Sequence, residues 1–254
     1  MSTTGLPILT YHALDRSNHA IATDPAWFAA TMERLVSAGF VGVGLADWIA
    51  QGRPEVANGF AVAFDDGLRS ILNGVDVLER NQIPATVFLV TDHVGGDNAW
   101  EGQSRRIPRL PTLDWSEITE LSMRGFSFGA HTATHPRLDR LRPNLLGREL
   151  REARDAIVTR LNRPCGLFAY PYGRSSTFLR SRVGRTFDAA FGTRMALADA
   201  ASPLDDLPRI DAYYLRSPRV LDRLVAGRLR PWLSLRRGLR MVRGVSRTML
   251  AVDR

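Results

Sequence analysis

The chain has 254 residues, 44% of them hydrophobic and 24% charged, a globular composition that excludes collagen, coiled coil and wholesale disorder. Its formal charge of +8 rests on 34 basic residues, every one an arginine, against 26 acidic ones; codon composition explains such a bias as well as guanidinium recognition does, so no nucleic-acid partner is expected. The single cysteine, Cys165, excludes an intrachain disulfide and a multi-cysteine zinc ribbon, which leaves histidine and carboxylate as the ligands for any metal.

The opening MSTTGLPILTYH lacks a basic stretch followed by an apolar core, so no cleaved secretory signal is expected and a cytoplasmic location is. No run of about 18 uncharged apolar residues suits a membrane-spanning helix. Residues 5–11 read as a first strand. Asp24 before Pro25 suits an N-cap with proline at the first helical position, and Gly39 suits a left-handed stop, so 25–38 reads as a helix. Short apolar runs then predict strands over 60–64, 85–90, 126–130, 167–170 and 189–192, and helical spacing predicts helices over 68–81, 116–124, 144–161 and 176–186. Residues 92–111, rich in Gly, Asn, Arg and Pro, read as a long surface loop. Arg209 and Asp211 stand where a last strand should end. From Arg216 onward eleven arginines face only Asp222 and Asp253. Residues 215–254 are therefore expected to form a basic helical extension behind one α/β domain over 1–214. The alternation of strand and helix predicts a parallel (β/α) barrel, closed or incomplete, ahead of a doubly wound sheet.

Three polar clusters follow three of these strands: Asp65-Asp66-Gly67, His131-Thr-Ala-Thr-His135 and Tyr170-Pro-Tyr-Gly173. In parallel α/β folds the C-terminal strand ends share one face, so the clusters should meet in space. Adjacent carboxylates point in different directions, which lets one hold a metal while the other takes a proton; the same triplet also serves simply as a turn and cap. Two imidazoles four residues apart can share one ion, and two His with one carboxylate leave open positions of the catalytic kind.

In this order and spacing the three motifs resemble the polysaccharide deacetylase family of metal-dependent carbohydrate esterases. PILTYH at 7–12 and Leu207-Pro208-Arg209 are similar to members acting in exopolysaccharide synthesis. The resemblance implies hydrolysis of N-acetyl groups on an N-acetylated carbohydrate. It implies a divalent metal, zinc, on Asp66, His131 and His135, with Asp65 as general base and the Tyr172 backbone N–H as oxyanion donor. Two departures stand out. Ala169 occupies the position where many members carry an arginine that orients the base, and no His follows His135 to serve as the late general acid. His12, at the end of the first strand, is the candidate replacement; its alternative is a structural histidine. Arg209 either positions Asp65, grips the sugar or pairs at the surface with Asp205 or Asp206. Trp100 and Trp115 either stack on sugar or fill a small satellite core, and His19 and His93 read as solvated loop residues. The competing functions are a carbohydrate-binding member without turnover and a module whose 215–254 extension lies on an anionic membrane. A glycosidase using Asp65 and Asp66 is disfavoured, because adjacent carboxylates do not straddle a glycosidic bond.

Overall fold

The computed structural model describes residues 5–17 and 19–236; the second part of the arginine-rich extension, 237–254, lies outside the described residues. In chain order the elements are β1 (Ile8–Tyr11), β2 (Ala13–Leu14), β3 (Ala22–Thr23), α1 (Pro25–Ser37), β4 (Val41–Gly42), α2 (Leu45–Ala50), β5 (Gly59–Phe64), α3 (Val75–Arg80) and β6 (Ala85–Leu89). They continue with α4 (Trp115–Met123), β7 (Ser127–Ala130), α5 (Pro143–Leu161), β8 (Leu167–Ala169), α6 (Thr177–Val183), β9 (Ala189–Phe191), β10 (Ile210–Asp211) and α7 (Pro218–Val225).

The main sheet runs in the order β10-β1-β5-β6-β7-β8-β9, with β4 beside β5, and its strands pair in parallel. It curls into an incomplete (β/α) barrel, as the alternation of elements predicts. One segment reaches both edges: Leu207 bridges Phe191 of β9, and Ile210 and Asp211 pair with Leu9 and Thr10 of β1. Pro208, which has no N–H to donate, stands between the two contacts, so closure rests on an irregular strap rather than a continuous ladder.

The central strands are mostly apolar because both faces are covered, and side-chain size separates those faces. In β5, Phe60, Val62 and Phe64 pack outward among the helices, while Ala61 and Ala63 share the inner cluster with Ile8, Phe88, Ala169, Ala189 and Phe191. Small residues make room for Phe88 and Phe191, whose ring centroids lie 5.4 Å apart. At Gly129 a Cβ would meet Phe88 Cε1 at 2.6 Å and the Leu167 carbonyl oxygen at 2.8 Å. Gly129→Ala is therefore expected to cost about 1–3 kcal/mol through overpacking, read as a lower denaturation midpoint. An unchanged midpoint would mean that the barrel interior yields there.

Helix boundaries follow their caps. Asp24 accepts from the Ala26 N–H at the start of α1, and Asp114 and Glu117 form a reciprocal capping box at the start of α4. The helix expected over 68–81 is instead a 3-10 turn, Arg69–Gly74, followed by α3. Tertiary bonds explain the change: Ser70 Oγ accepts from the Leu14 N–H at 3.1 Å, and Asn73 Nδ2 donates to the Leu14 carbonyl at 2.9 Å. At Gly74 a Cβ would come within 2.5 Å of Leu14 Cδ1. Val220, Leu221 and Leu224 of α7, with Leu229 and Leu233 behind it, join the main core, so α7 packs its apolar side on the barrel. No described helix is long and apolar enough to cross a membrane.

Candidate active site

The ends of β1, β5, β7 and β8 open into one cavity of about 330 Å³ whose walls include His12, Asp65, Asp66, His131, His135, Tyr172 and Arg209. Each motif sits where strand pairing has just ended. The Asp65 N–H donates to the Tyr11 carbonyl at 2.9 Å and the His131 N–H to the Leu89 carbonyl at 2.8 Å, at the points where the strands end. Beyond them the backbone turns into the left-handed region, with φ of 71° at Asp66, 72° at Thr132, 58° at His135 and 58° at Tyr172. Such φ values are costly for residues other than glycine, and they cluster at functional sites.

Asp66, His131 and His135 form a group able to hold a metal ion, their ligand atoms all lying within 4.8 Å of one another. Asp66 Oδ1 is 3.5 Å from Nε2 of each ring, and the two Nε2 atoms are 3.2 Å apart. The donor chemistry fits a cation. His131 Nδ1 lies 2.8 Å from the Ala169 carbonyl oxygen, which can only accept, so the proton is on Nδ1 and the Nε2 lone pair faces the group. Burial pushes both imidazole pKa values down, that of His135 well down with the neighbouring His131 adding to it, which favours the neutral ligand form. Burial likewise raises the Asp66 carboxyl, a penalty that a nearby positive charge would offset. His135 Nδ1 is 3.2 Å from the Tyr172 hydroxyl.

Asp65 is treated differently from its neighbour. Arg209 grips it in a fork, Nη1 to Oδ1 at 2.6 Å and Nη2 to Oδ2 at 2.8 Å, while Arg209 Nε donates to the Gly192 carbonyl at 3.0 Å. Both side chains are almost wholly buried. Burial alone would raise the Asp65 carboxyl, but the Arg209 guanidinium, with lesser contributions from the His131 and His12 rings, holds it well below the usual carboxylate range. Asp65 thus stays ionised with a fixed orientation. His12 Nε2 stands 4.0 Å from Asp65 Oδ2, and the ring is partly exposed to the cavity.

Arg209 therefore does not pair at the surface with Asp205 or Asp206; Asp206 is taken by Arg180. The arginine that contacts Asp65 comes from the closing strap, and the backbone carbonyl of Ala169 orients His131. Trp100 is buried, its ring 4.5 Å from that of His135, while the half-buried Trp115 packs against the core away from the cavity with Arg160 over its ring at 5.6 Å, so neither offers a face to a sugar in the cavity. The aromatic rings exposed at the cavity are Tyr172 and Tyr213. His19 is buried 3.4 Å from Asp15 instead of solvated, and His93 stacks edge-on against Trp100 at 5.4 Å. The packing role of Trp100 has no local sequence signal, since it depends on contacts between distant segments.

Asp66, His131 and His135, able to hold an ion, and the arginine-held Asp65 thus share the strand ends of a parallel incomplete barrel, an arrangement suited to hydrolysis. The polysaccharide deacetylase family model matches residues 54–186, just over half of the chain, and the chain belongs to that family. No curated protein sequence matches it. Solved structures share the fold at low identity. A Streptococcus pyogenes deacetylase, PplD, in complex with acetate is 22% identical over 88% of this chain and 99% of its own, with a TM-score of 0.75. IcaB from Ammonifex degensii is 22% identical over 90% of this chain and 98% of its own, with a TM-score of 0.74. A polysaccharide deacetylase from Bacillus cereus is 22% identical over 87% of this chain and 69% of its own, with a TM-score of 0.73.

Proposed function

We propose that this chain is a zinc-dependent hydrolase that removes N-acetyl groups from N-acetylhexosamine units of an oligosaccharide or polysaccharide, a lipid-linked glycan or a related glycoconjugate. The observation that carries this is the division of labour between adjacent carboxylates: Asp66 turned to the two imidazoles, and Asp65 clamped by Arg209. A divalent ion on Asp66, His131 and His135 supplies Lewis acidity, making water more acidic and polarising the amide carbonyl.

The protein side chains do the rest. Asp65 accepts a proton from the attacking water as its oxygen bonds to the acetyl carbon. Arg209 keeps that carboxylate ionised and aimed. The backbone N–H of Tyr172 donates to the oxyanion. His12 Nε2 gives a proton to the sugar nitrogen as the carbon–nitrogen bond breaks, so that water and amide become acetate and amine. The supply of an arginine by the strap supports turnover over a purely carbohydrate-binding role, since the Ala169 substitution no longer leaves the base without a partner.

Metal content and acetate release from N-acetylglucosamine oligomers test this on wild type and His131→Ala. Near-stoichiometric zinc and acetate release in wild type, both lost in a folded His131→Ala protein, are expected. Wild-type protein that holds metal but releases no acetate from any glycan would favour the binding role, and protein without metal would sink the site assignment.

A further inference from the structure

The loop that carries both imidazoles has left-handed backbone at Thr132 and again at His135, a region that a β-branched residue such as threonine enters only under constraint. Strained backbone of this kind persists where its surroundings over-determine it. Within the loop, Thr132 Oγ1 accepts from the His135 N–H at 2.9 Å. The Thr91 and Asp92 N–H groups donate to the loop's Thr132 and Ala133 carbonyls at 3.3 and 3.0 Å, and the loop's own N–H groups at Ala133 and Thr134 are held by a side chain on another element. Glu149, on α5, is buried, and its carboxylate accepts three hydrogen bonds from the loop. Oε2 takes the N–H groups of Ala133 at 3.0 Å and Thr134 at 2.9 Å, and Oε1 takes the Thr134 hydroxyl at 2.8 Å. A buried carboxylate needs such donors, and the turn's N–H groups need an acceptor, so helix and loop satisfy each other.

We propose that Glu149 is the positioning residue of the ligand loop: by holding Ala133 and Thr134 it keeps His131 and His135 convergent before any ion arrives. It touches neither ion nor sugar, yet sets the affinity for the ion. This rests on the metal-binding role proposed above for the two histidines.

The test compares metal-free wild type, Glu149→Met and Leu150→Ala. Methionine is of similar size but removes both acceptor oxygens, so the Ala133 and Thr134 N–H groups lose their partner; glutamine would keep it, because its oxygen can accept both N–H groups while its NH2 donates to the Thr134 hydroxyl. Leu150, the buried neighbour on α5, supplies core packing, so its truncation controls for general destabilisation. In competition with a chromophoric chelator, Zn2+ affinity is expected to fall about 10- to 100-fold in Glu149→Met, as for other residues that orient metal ligands, and to stay at the wild-type value in Leu150→Ala. Equal affinities in Glu149→Met and wild type would overturn the proposal, however far the melting temperature moves. Amide hydrogen exchange at Ala133 and Thr134, read by NMR, needs no metal: protection is expected to be lost in Glu149→Met and kept in Leu150→Ala. If wild type itself binds no Zn2+, the metal role fails and exchange alone decides, with unchanged protection in Glu149→Met overturning the positioning role. Should Glu149→Met not fold, metal-free wild type decides: absence of protection at Ala133 and Thr134 there would overturn the proposal.

Discussion

Arg209→Met is expected to cost about 3–5 kcal/mol of folding stability, because it leaves the Asp65 carboxylate buried without its counter-charge. Methionine replaces only the aliphatic stem, so part of the loss is the space the guanidinium vacates; the rest comes from the two-pronged contact and from the Gly192 carbonyl that loses its donor. The control is a double replacement. Adding Asp65→Asn to Arg209→Met removes the stranded charge and should recover part of the loss, giving a strongly non-additive cycle in urea denaturation. A cost below about 1 kcal/mol for Arg209→Met alone would mean that the pair behaves like a solvated surface bridge. That outcome would also take away the physical basis for a fixed, ionised Asp65.

Asp65→Asn should lower kcat for acetate release by about 10²- to 10⁴-fold, the range for losing a positioned proton acceptor. Metal content should be unchanged, since Asp66 and the two imidazoles are intact. An effect confined to kcat, with KM near wild type, identifies a group that acts on the reacting water rather than on sugar binding. Because the variant leaves Arg209 partly uncompensated, the assay belongs at a temperature where circular dichroism shows the fold retained. Activity within tenfold of wild type would move the proton-accepting role elsewhere, with His12 the nearest alternative at 4.0 Å from Asp65.

Much of this architecture is legible in the amino-acid order, for identifiable reasons. Strands buried on both faces must be apolar along their length, so FAVAF and ATVFL stand out, and polar clusters directly after such runs can only lie at strand ends. The motifs at 65–67, 131–135 and 170–173 are local and survive reading in one dimension. What escapes is whatever depends on two distant segments meeting. Arg209 and Asp65 lie far apart in sequence, and the composition around Arg209, with Asp205 and Asp206 close by, suggests a surface pair as readily as the buried one. Residues 68–81 have helical spacing, but Leu14 claims Ser70 and Asn73 and breaks the helix into two turns. Helix α2, six residues long, is too short to display a period. Trp100 borders a polar loop and still ends in the interior, because the loop folds back on itself through the Asp97 and Pro111 bridge.

The strap that closes the barrel also has a bearing on how the protein comes into being. Asp65, Asp66, His131 and His135 lie in segments that a ribosome delivers before residues 207–211, so a growing chain holds Asp65 for some time with no arginine opposite it. Until the strap docks, folding the carboxylate into the barrel is unfavourable and hydration is its better state. The segment that pairs with β1 is also the one that carries Arg209, so the orientation of the buried Asp65 carboxylate depends on the completion of the sheet.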